Sequence, residues 1–152
     1  MNTAKADAEA LLNELMPFAE QMLTQYREFF PFGARMAHNG KIDHVSASDG
    51  TEHPPSQPLI DLLTKAHRIE AKEKKLRACA IVYDIRTIPP GKSEKQDAIA
   101  AAIDHVSGYS VVVIFPYSFD TEQKLQIEAP FATEGSYNIF GHPKKRRRSQ
   151  YE

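Results

Sequence analysis

Residues 32 to 55 hold the chain's densest group of side chains that could carry out metal or acid–base chemistry. Six residues of these types occur there: His38, His44, His53, Asp43, Asp49 and Glu52. Imidazole and carboxylate groups are common metal ligands, and a histidine beside a carboxylate can transfer protons. The stretch therefore predicts either a functional site or a polar hairpin that carries histidines.

The dipeptide Asn39-Gly40 in this stretch is a strong signal for a hairpin with a two-residue turn, because both residue types tolerate the positive φ of a type I′ turn. Such a turn places His38 opposite Lys41. His38 and His44 would then point to opposite faces of the sheet, where they could not easily bind one metal ion. This register favours solvated histidines within the hairpin itself.

The loop that follows the hairpin is the better candidate for a binding surface. Asp49, Glu52 and His53 lie on this connection, and binding residues are frequent on loops. A carboxylate and a histidine could support a metal-assisted enzyme, but the pattern identifies no nucleophile or oxyanion donor. The Asp-Gly pair within the loop is equally consistent with ordinary turn chemistry.

A basic run closes the chain. Its five charged residues are Lys144, Lys145, Arg146, Arg147 and Arg148. The formal net charge of −1 includes these five positive charges, so the rest of the chain stands at −6. The run could bind nucleic-acid phosphates or remain a solvated tail, and no aromatic residue is interleaved with the arginines for base stacking.

Length and composition predict one ordinary globular domain. The chain has 152 residues, of which 41% are hydrophobic and 26% charged. We expect a single domain over residues 1–141 and a basic tail over residues 142–152. No apolar run approaches the roughly 20 residues that span a membrane, and the N-terminus lacks the pattern of a signal peptide. The lone Cys79 is expected to be a buried thiol, and a reducing cytoplasm is the expected compartment.

Apolar spacing predicts the first elements. Leucines and aromatic residues recur every three or four positions over residues 4–29, which indicates a helix. Pro17 interrupts this pattern, so we expect either a kink or two helices that meet near Met16. Hairpin strands are expected at about 33–38 and 41–47.

A second helix is expected over about 57–75, because its leucines share one face and its lysines the other. The alternating segment "RACAIVYDIRTI" predicts a strand that ends at Pro89-Pro90-Gly91. In this strand Tyr83, Asp84 and Arg86 are consistent with ordinary packing and cross-strand residues. A weaker final strand is expected in "KLQIEAPF".

The segment "SEKQDAIAAAIDHVSGYSVVVIFPY" allows two structures. A capping box that begins at Ser93, together with the alanines, favours a helix. Ser107-Gly108 could instead form a two-residue turn between strands at about 97–106 and 109–117. Local sequence alone favours the helix.

Four phrases, "PFGARM", "DGTEHPPSQPLIDLL", "VYDIRTIPPG" and "DAIAAAIDHVSGYSVVVIFPY", resemble a family of small, functionally uncharacterised bacterial proteins. The resemblance extends over roughly residues 28 to 118. It implies the hairpin for the ambiguous segment, because the corresponding stretch of the family is more typical of a strand. It transfers no site residues.

The predicted fold class is α+β. A kinked N-terminal helix, a β-hairpin and a second helix precede antiparallel strands that form one sheet, with the helices mainly on one face. The sequence contains no GxxxxGK[ST], GxGxxG, HExxH, GxSxG or CxxC pattern.

With these motifs missing, the preferred hypothesis is a non-enzymatic cytoplasmic module that binds another protein. Its acidic body would face a basic partner, as in the immunity partners of bacterial toxins. No cofactor and no membrane are expected. The alternatives are a metal-assisted enzyme that uses the 49–53 loop and nucleic-acid association through the basic tail.

Overall fold

The computed structural model describes residues 3–48, 50 and 55–143. The fold begins with one long helix, α1 (Thr3–Tyr26). The helix runs through Pro17 without a break, so of the two expected alternatives, a kink or two helices meeting near Met16, the second is wrong. Proline removes one backbone hydrogen bond, but Leu11, Leu15 and Leu23 are fully buried on both sides of it and hold the helix against the sheet.

In the described part of the chain, eight further elements follow α1. They are β1 (Phe32–Met36), β2 (Ile42–Val45), α2 (Ser56–Lys72), β3 (Ala78–Thr87), β4 (Gln96–His105), β5 (Ser110–Phe119), β6 (Leu125–Ile127) and β7 (Phe131–Glu134). The seven strands form an antiparallel sheet in the order β2-β1-β3-β4-β5-β6, and β7 also pairs with β5. The predicted α+β class is confirmed. The weak "KLQIEAPF" signal corresponds to β6, whereas β7 was not predicted.

The ambiguous alanine-rich segment is a strand, as the resemblance implied. Ala98 and Ala100 are fully buried on one face of β4, and Ala101 is fully buried on the other. A central strand with two covered faces needs small side chains where its neighbours are large. Tertiary packing therefore overrides the helical propensity of the alanines.

Both predicted two-residue turns are wrong in length. In the first hairpin the Gly40 N–H donates to Ala37 O at 2.9 Å, and the Ala37 N–H donates to Lys41 O at 2.9 Å. Met36 lies opposite Ile42 and Ala37 opposite Lys41, so the loop has three residues, 38 to 40, and His38 belongs to the turn. Gly40 has φ 90°, as a type I turn followed by a glycine bulge requires.

The second hairpin repeats this geometry. The Gly108 N–H donates to His105 O, the His105 N–H donates to Tyr109 O, and Gly108 has φ 97°. Glycine at positive φ suits both the two-residue and the three-residue loop, so the dipeptides Asn-Gly and Ser-Gly could not distinguish them. The one-residue error in register follows from this ambiguity.

The two helices lie against opposite faces of the sheet. Ala34 belongs to the core under α1, whereas the next residue, Arg35, forms an ion pair with Glu70 of α2 at 2.9 Å. Because side chains alternate along a strand, α1 and α2 must cover different faces of β1. The expectation of helices mainly on one face is therefore wrong, because each face of the sheet carries one helix.

Candidate functional site

The residues favoured from sequence fall outside the described part of the chain. Asp49, Glu52 and His53 lie in the gaps between residues 48, 50 and 55, and the basic run 144–148 follows the last described residue. Their roles stay predictions. Pro55 and Ser56, which follow this loop in the sequence, border a cleft that is described below.

The two described histidines of the hairpin have separate partners. His38 Nε2 lies 2.9 Å from Lys74 O, beyond the end of α2. His44 Nε2 lies 3.4 Å from Glu14 Oε1 on α1. The prediction that the hairpin does not bring His38 and His44 into one site agrees with these contacts, although the register used to reach it was wrong.

A buried polar network closes one end of the sheet face that α1 covers. Asp7 Oδ1 accepts a hydrogen bond from Arg77 Nη2 at 2.9 Å, and Asp7 Oδ2 lies 2.8 Å from His105 Nε2. Arg77 Nη1 also donates to His38 O at 3.0 Å, which ties the first hairpin turn to the start of β3. We call Asp7, Arg77 and His105 the paired end.

The paired end resembles a serine–histidine–aspartate arrangement, because Ser107 Oγ lies 2.8 Å from His105 Nδ1. The Ser107 N–H donates to the same nitrogen at 3.1 Å, so Nδ1 is an acceptor and the ring proton on Nε2 is donated to Asp7. The backbone N–H thus shares the lone pair that a general base would use. This geometry fixes the turn between β4 and β5 rather than activating Ser107.

An acidic cleft opens at the other end of the same sheet face. It has a volume of about 470 Å³. Its lining residues are Glu28, Phe29, Phe30, Pro55, Ser56, Asp84, Ile85, Arg86 and Asp97. The segment after α1, the start of α2 and the adjacent ends of β3 and β4 meet here, so the antiparallel pairing of β3 and β4 brings the carboxylates together.

Asp84 is the central carboxylate of the acidic cleft. Its pKa is raised from 3.8 to about 6, first by burial and then by the negative charges of Asp97 and Glu28, while the hydrogen bond from Tyr117 opposes the shift. The Tyr117 hydroxyl donates to Asp84 Oδ1 at 2.9 Å and lies 3.0 Å from Oδ2. Burial and the charge of Asp84 raise the pKa of Tyr117 as well, so this hydroxyl stays a donor.

Among the described lining residues of the cleft, the one cationic side chain is already paired. Arg86 Nη1 contacts Asp97 Oδ1 at 3.1 Å on the exposed surface. Three carboxylates therefore face one guanidinium. A cation that entered the cleft would lower the electrostatic cost of ionising Asp84, and Phe29 and Phe30 offer it an apolar wall.

Asp84 and Asp97 were missed as site residues from sequence. A usable signal was present in β3, where Ala78, Ala80 and Val82 share an alternating face with Asp84. A carboxylate that continues a buried face is unusual, because desolvation penalises its charge. The sequence reading instead assigned that side of the strand to ordinary polar residues.

Two kinds of feature are absent from the described residues. Among residues 3–48, 50 and 55–143, no group of three or more His, Cys, Asp or Glu side chains is placed to hold a metal ion. None of the helices in this part of the chain has the length and apolar character needed to cross a membrane. Cys79 is buried as expected, and burial raises the pKa of its thiol.

Comparison with protein-family models, curated proteins and solved structures finds no match to this chain. The resemblance to a bacterial family therefore stays an expectation.

Proposed function

We propose that this chain is a non-enzymatic cytoplasmic module that binds a basic protein, and that the acidic cleft receives a lysine or arginine side chain of that partner. The observation that carries the proposal is the half-buried Asp84, whose charge is opposed by burial and by two neighbouring carboxylates. An arriving cation relieves that opposition, so the cleft is poised to gain favourable electrostatic energy on binding.

The surroundings of the cleft support a macromolecular partner. Phe30 is 39% exposed and Ile88, just beyond β3, is 50% exposed, so apolar surface is available at this end of the molecule. An apolar anchor beside a charged recess is typical of protein interfaces. These features support the proposal of an immunity-like mode, in which a small acidic α+β domain would face a basic partner.

The proposal also has a pH dependence. A bound cation lowers the pKa of Asp84, which is about 6 in the free protein, so binding should release a proton near that pH. Affinity should rise as the pH increases from 5 to 7 and then level off. Binding should also weaken with salt, because the interaction is electrostatic and partly exposed.

Affinity capture from the native cytoplasm tests the proposal. The wild-type chain should recover a basic protein at low salt, and the double variant Asp84→Asn with Asp97→Asn should lose it. A matched control is Glu73→Gln, which removes an exposed carboxylate paired with Lys75 beyond α2. Recovery that is absent, or equal for wild type and the double variant, would contradict the proposal.

A further inference from the structure

A second concave space lies on the opposite face of the sheet, between α2 and the segment after β7. This inner cavity has a volume of about 310 Å³. Its walls come from Ile60 and His67 on α2 and from residues 134–139, and its floor comes from the strands. Asn138 O accepts a hydrogen bond from Arg68 of α2, which closes the segment over the sheet.

The floor of the inner cavity is apolar and built from small residues. Cys79, Ala102 and Val112 come from three adjacent strands, β3, β4 and β5, and Ile81 adds a larger apolar side chain. Short side chains at these positions leave the space that α2 and the covering segment do not fill. Its volume falls at the lower end of the range for small-molecule sites.

The carboxylates of the cavity lining and one buried imidazole nitrogen are hydrogen-bond acceptors. Asp104 and Glu134 are the charged residues among its lining, and Asp104 Oδ1 accepts a hydrogen bond from Ser110 Oγ at 2.5 Å. His67 is fully buried, and its Nε2 lies 3.1 Å from Ala80 O. Since a carbonyl accepts, Nε2 must carry the ring proton.

The other ring nitrogen of His67 completes this set. Nδ1 is buried, has no hydrogen-bond partner within the described part of the chain, and is an acceptor in this tautomer. Burial lowers the pKa of His67, so the imidazole stays neutral. A ligand that brings N–H donors and a compact apolar body would match both the acceptors and the floor.

We propose that the inner cavity binds a small primary ammonium ligand with an aromatic or branched apolar group, and that Asp104 pairs with the ammonium. The site is independent of the acidic cleft, because it lies on the other face of the sheet and shares no lining residue with it. Its ligand is a small molecule, whereas the acidic cleft takes a protein side chain.

The test uses 2-phenylethylamine as the probe and 2-phenylethanol as its uncharged counterpart, with binding followed by NMR shift changes in the full chain. An alkylamine is protonated at neutral pH. The amine should give saturable shifts at Ile81, Ala102 and Val112. It should bind roughly tenfold more tightly than the alcohol, as expected for one charge-assisted hydrogen bond.

Two variants separate the contribution of the apolar floor to binding from that of the Asp104 carboxylate. Ala102→Leu fills the floor and should abolish saturable binding, whereas Ala132→Leu, on an exposed position of β7, should not change it. Asp104→Asn should keep the cavity but remove most of the preference for the amine over the alcohol. If Ala102→Leu fails to fold, the Asp104→Asn comparison decides.

Three outcomes would overturn the proposal. They are the absence of saturable shifts at the cavity in the wild-type chain, equal binding by folded Ala102→Leu, and an amine preference that Asp104→Asn leaves unchanged. The capture experiment with the Asp84 and Asp97 double variant does not test amine binding in the inner cavity. Either proposal can therefore be contradicted while the other stands.

Discussion

Two aspartates at opposite ends of one sheet face show how surroundings decide what a carboxylate does. At the paired end, Asp7 has a guanidinium at 2.9 Å and an imidazole at 2.8 Å, and its side chain is 12% exposed. In the acidic cleft, Asp84 accepts a hydrogen bond from the Tyr117 hydroxyl and has the negative charges of Asp97 and Glu28 nearby. Asp7 is therefore paired with a positive charge, whereas Asp84 lies near two negative charges.

This difference shows which of the two carboxylates lacks an opposite charge beside it. Asp7 joins α1 to β3 and β4, so its charge contributes to holding the fold together. Ionisation of Asp84 raises the free energy of the folded state. A bound cation would offset this cost, which is typical of a binding site rather than of a structural ion pair. We therefore assign a structural role to the paired end and a binding role to the acidic cleft.

The largest expected effect is at the paired end. Asp7→Asn leaves Arg77 and the His105 ring proton without their charged acceptor in a mostly buried setting, so we expect a loss of about 2–4 kcal/mol in the free energy of unfolding. Chemical denaturation measures it. The matched variant Asp97→Asn removes an exposed pair and should change stability by less than about 1 kcal/mol. Equal effects of the two variants would contradict the comparison.

Gly40 should give the next largest effect, because it supports the turn that Arg77 contacts. At φ 90° a β-branched residue is strongly disfavoured, and a Cβ would lie 3.3 Å from Arg77 Nη2. Gly40→Val should lower the free energy of unfolding by about 1–3 kcal/mol, and Gly40→Ala by less. An unchanged thermal midpoint for Gly40→Val would show that the turn is misassigned.

Asp84→Asn should have a smaller effect of opposite sign. The folded-state pKa of Asp84 is about 6, above the ordinary 3.8, so the stability that its protonated form contributes below pH 4 is lost as the pH rises to 6. Asparagine keeps an oxygen acceptor for Tyr117 without the charge. At pH 7 the variant should be more stable, by on the order of 1 kcal/mol after allowance for solvent screening.

Denaturation between pH 4 and pH 7 checks this prediction. The advantage of Asp84→Asn over wild type should shrink as the pH falls and be absent near pH 4. A variant that is less stable than wild type at pH 7 would mean that Asp84 is held as a favourable anion, as at the paired end.

The spacing of apolar residues was sufficient to predict most helices and strands, because that spacing directly reflects which side of an element is buried. The β4–β5 hairpin was harder, since Ala98, Ala100 and Ala101 favour a helix in isolation and become strand residues only between two covered faces. Turn length was not predictable from Asn-Gly or Ser-Gly, because glycine satisfies both loop types. The position of α2 depended on long-range packing that local pattern does not carry.

The candidate site was less accessible from sequence than the fold. Asp84 and Asp97 are 13 positions apart and meet only through the β3–β4 register. The sequence pattern instead favoured residues 32 to 55, where candidate side chains lie close together along the chain. His38 and His44 then proved to have separate partners because one lies in a turn and the other on a strand.

The most direct test of the account is an NMR titration of the full chain with N-acetyl-arginine methylamide, beside the uncharged citrulline analogue. The arginine probe should give saturable shifts at Phe30, Asp84 and Asp97 that weaken with added salt and as the pH falls below about 6. The citrulline analogue should leave these signals in place. Equal shifts from both probes, or arginine shifts that spare the acidic cleft, would contradict the central claim that this cleft is built to receive a basic side chain.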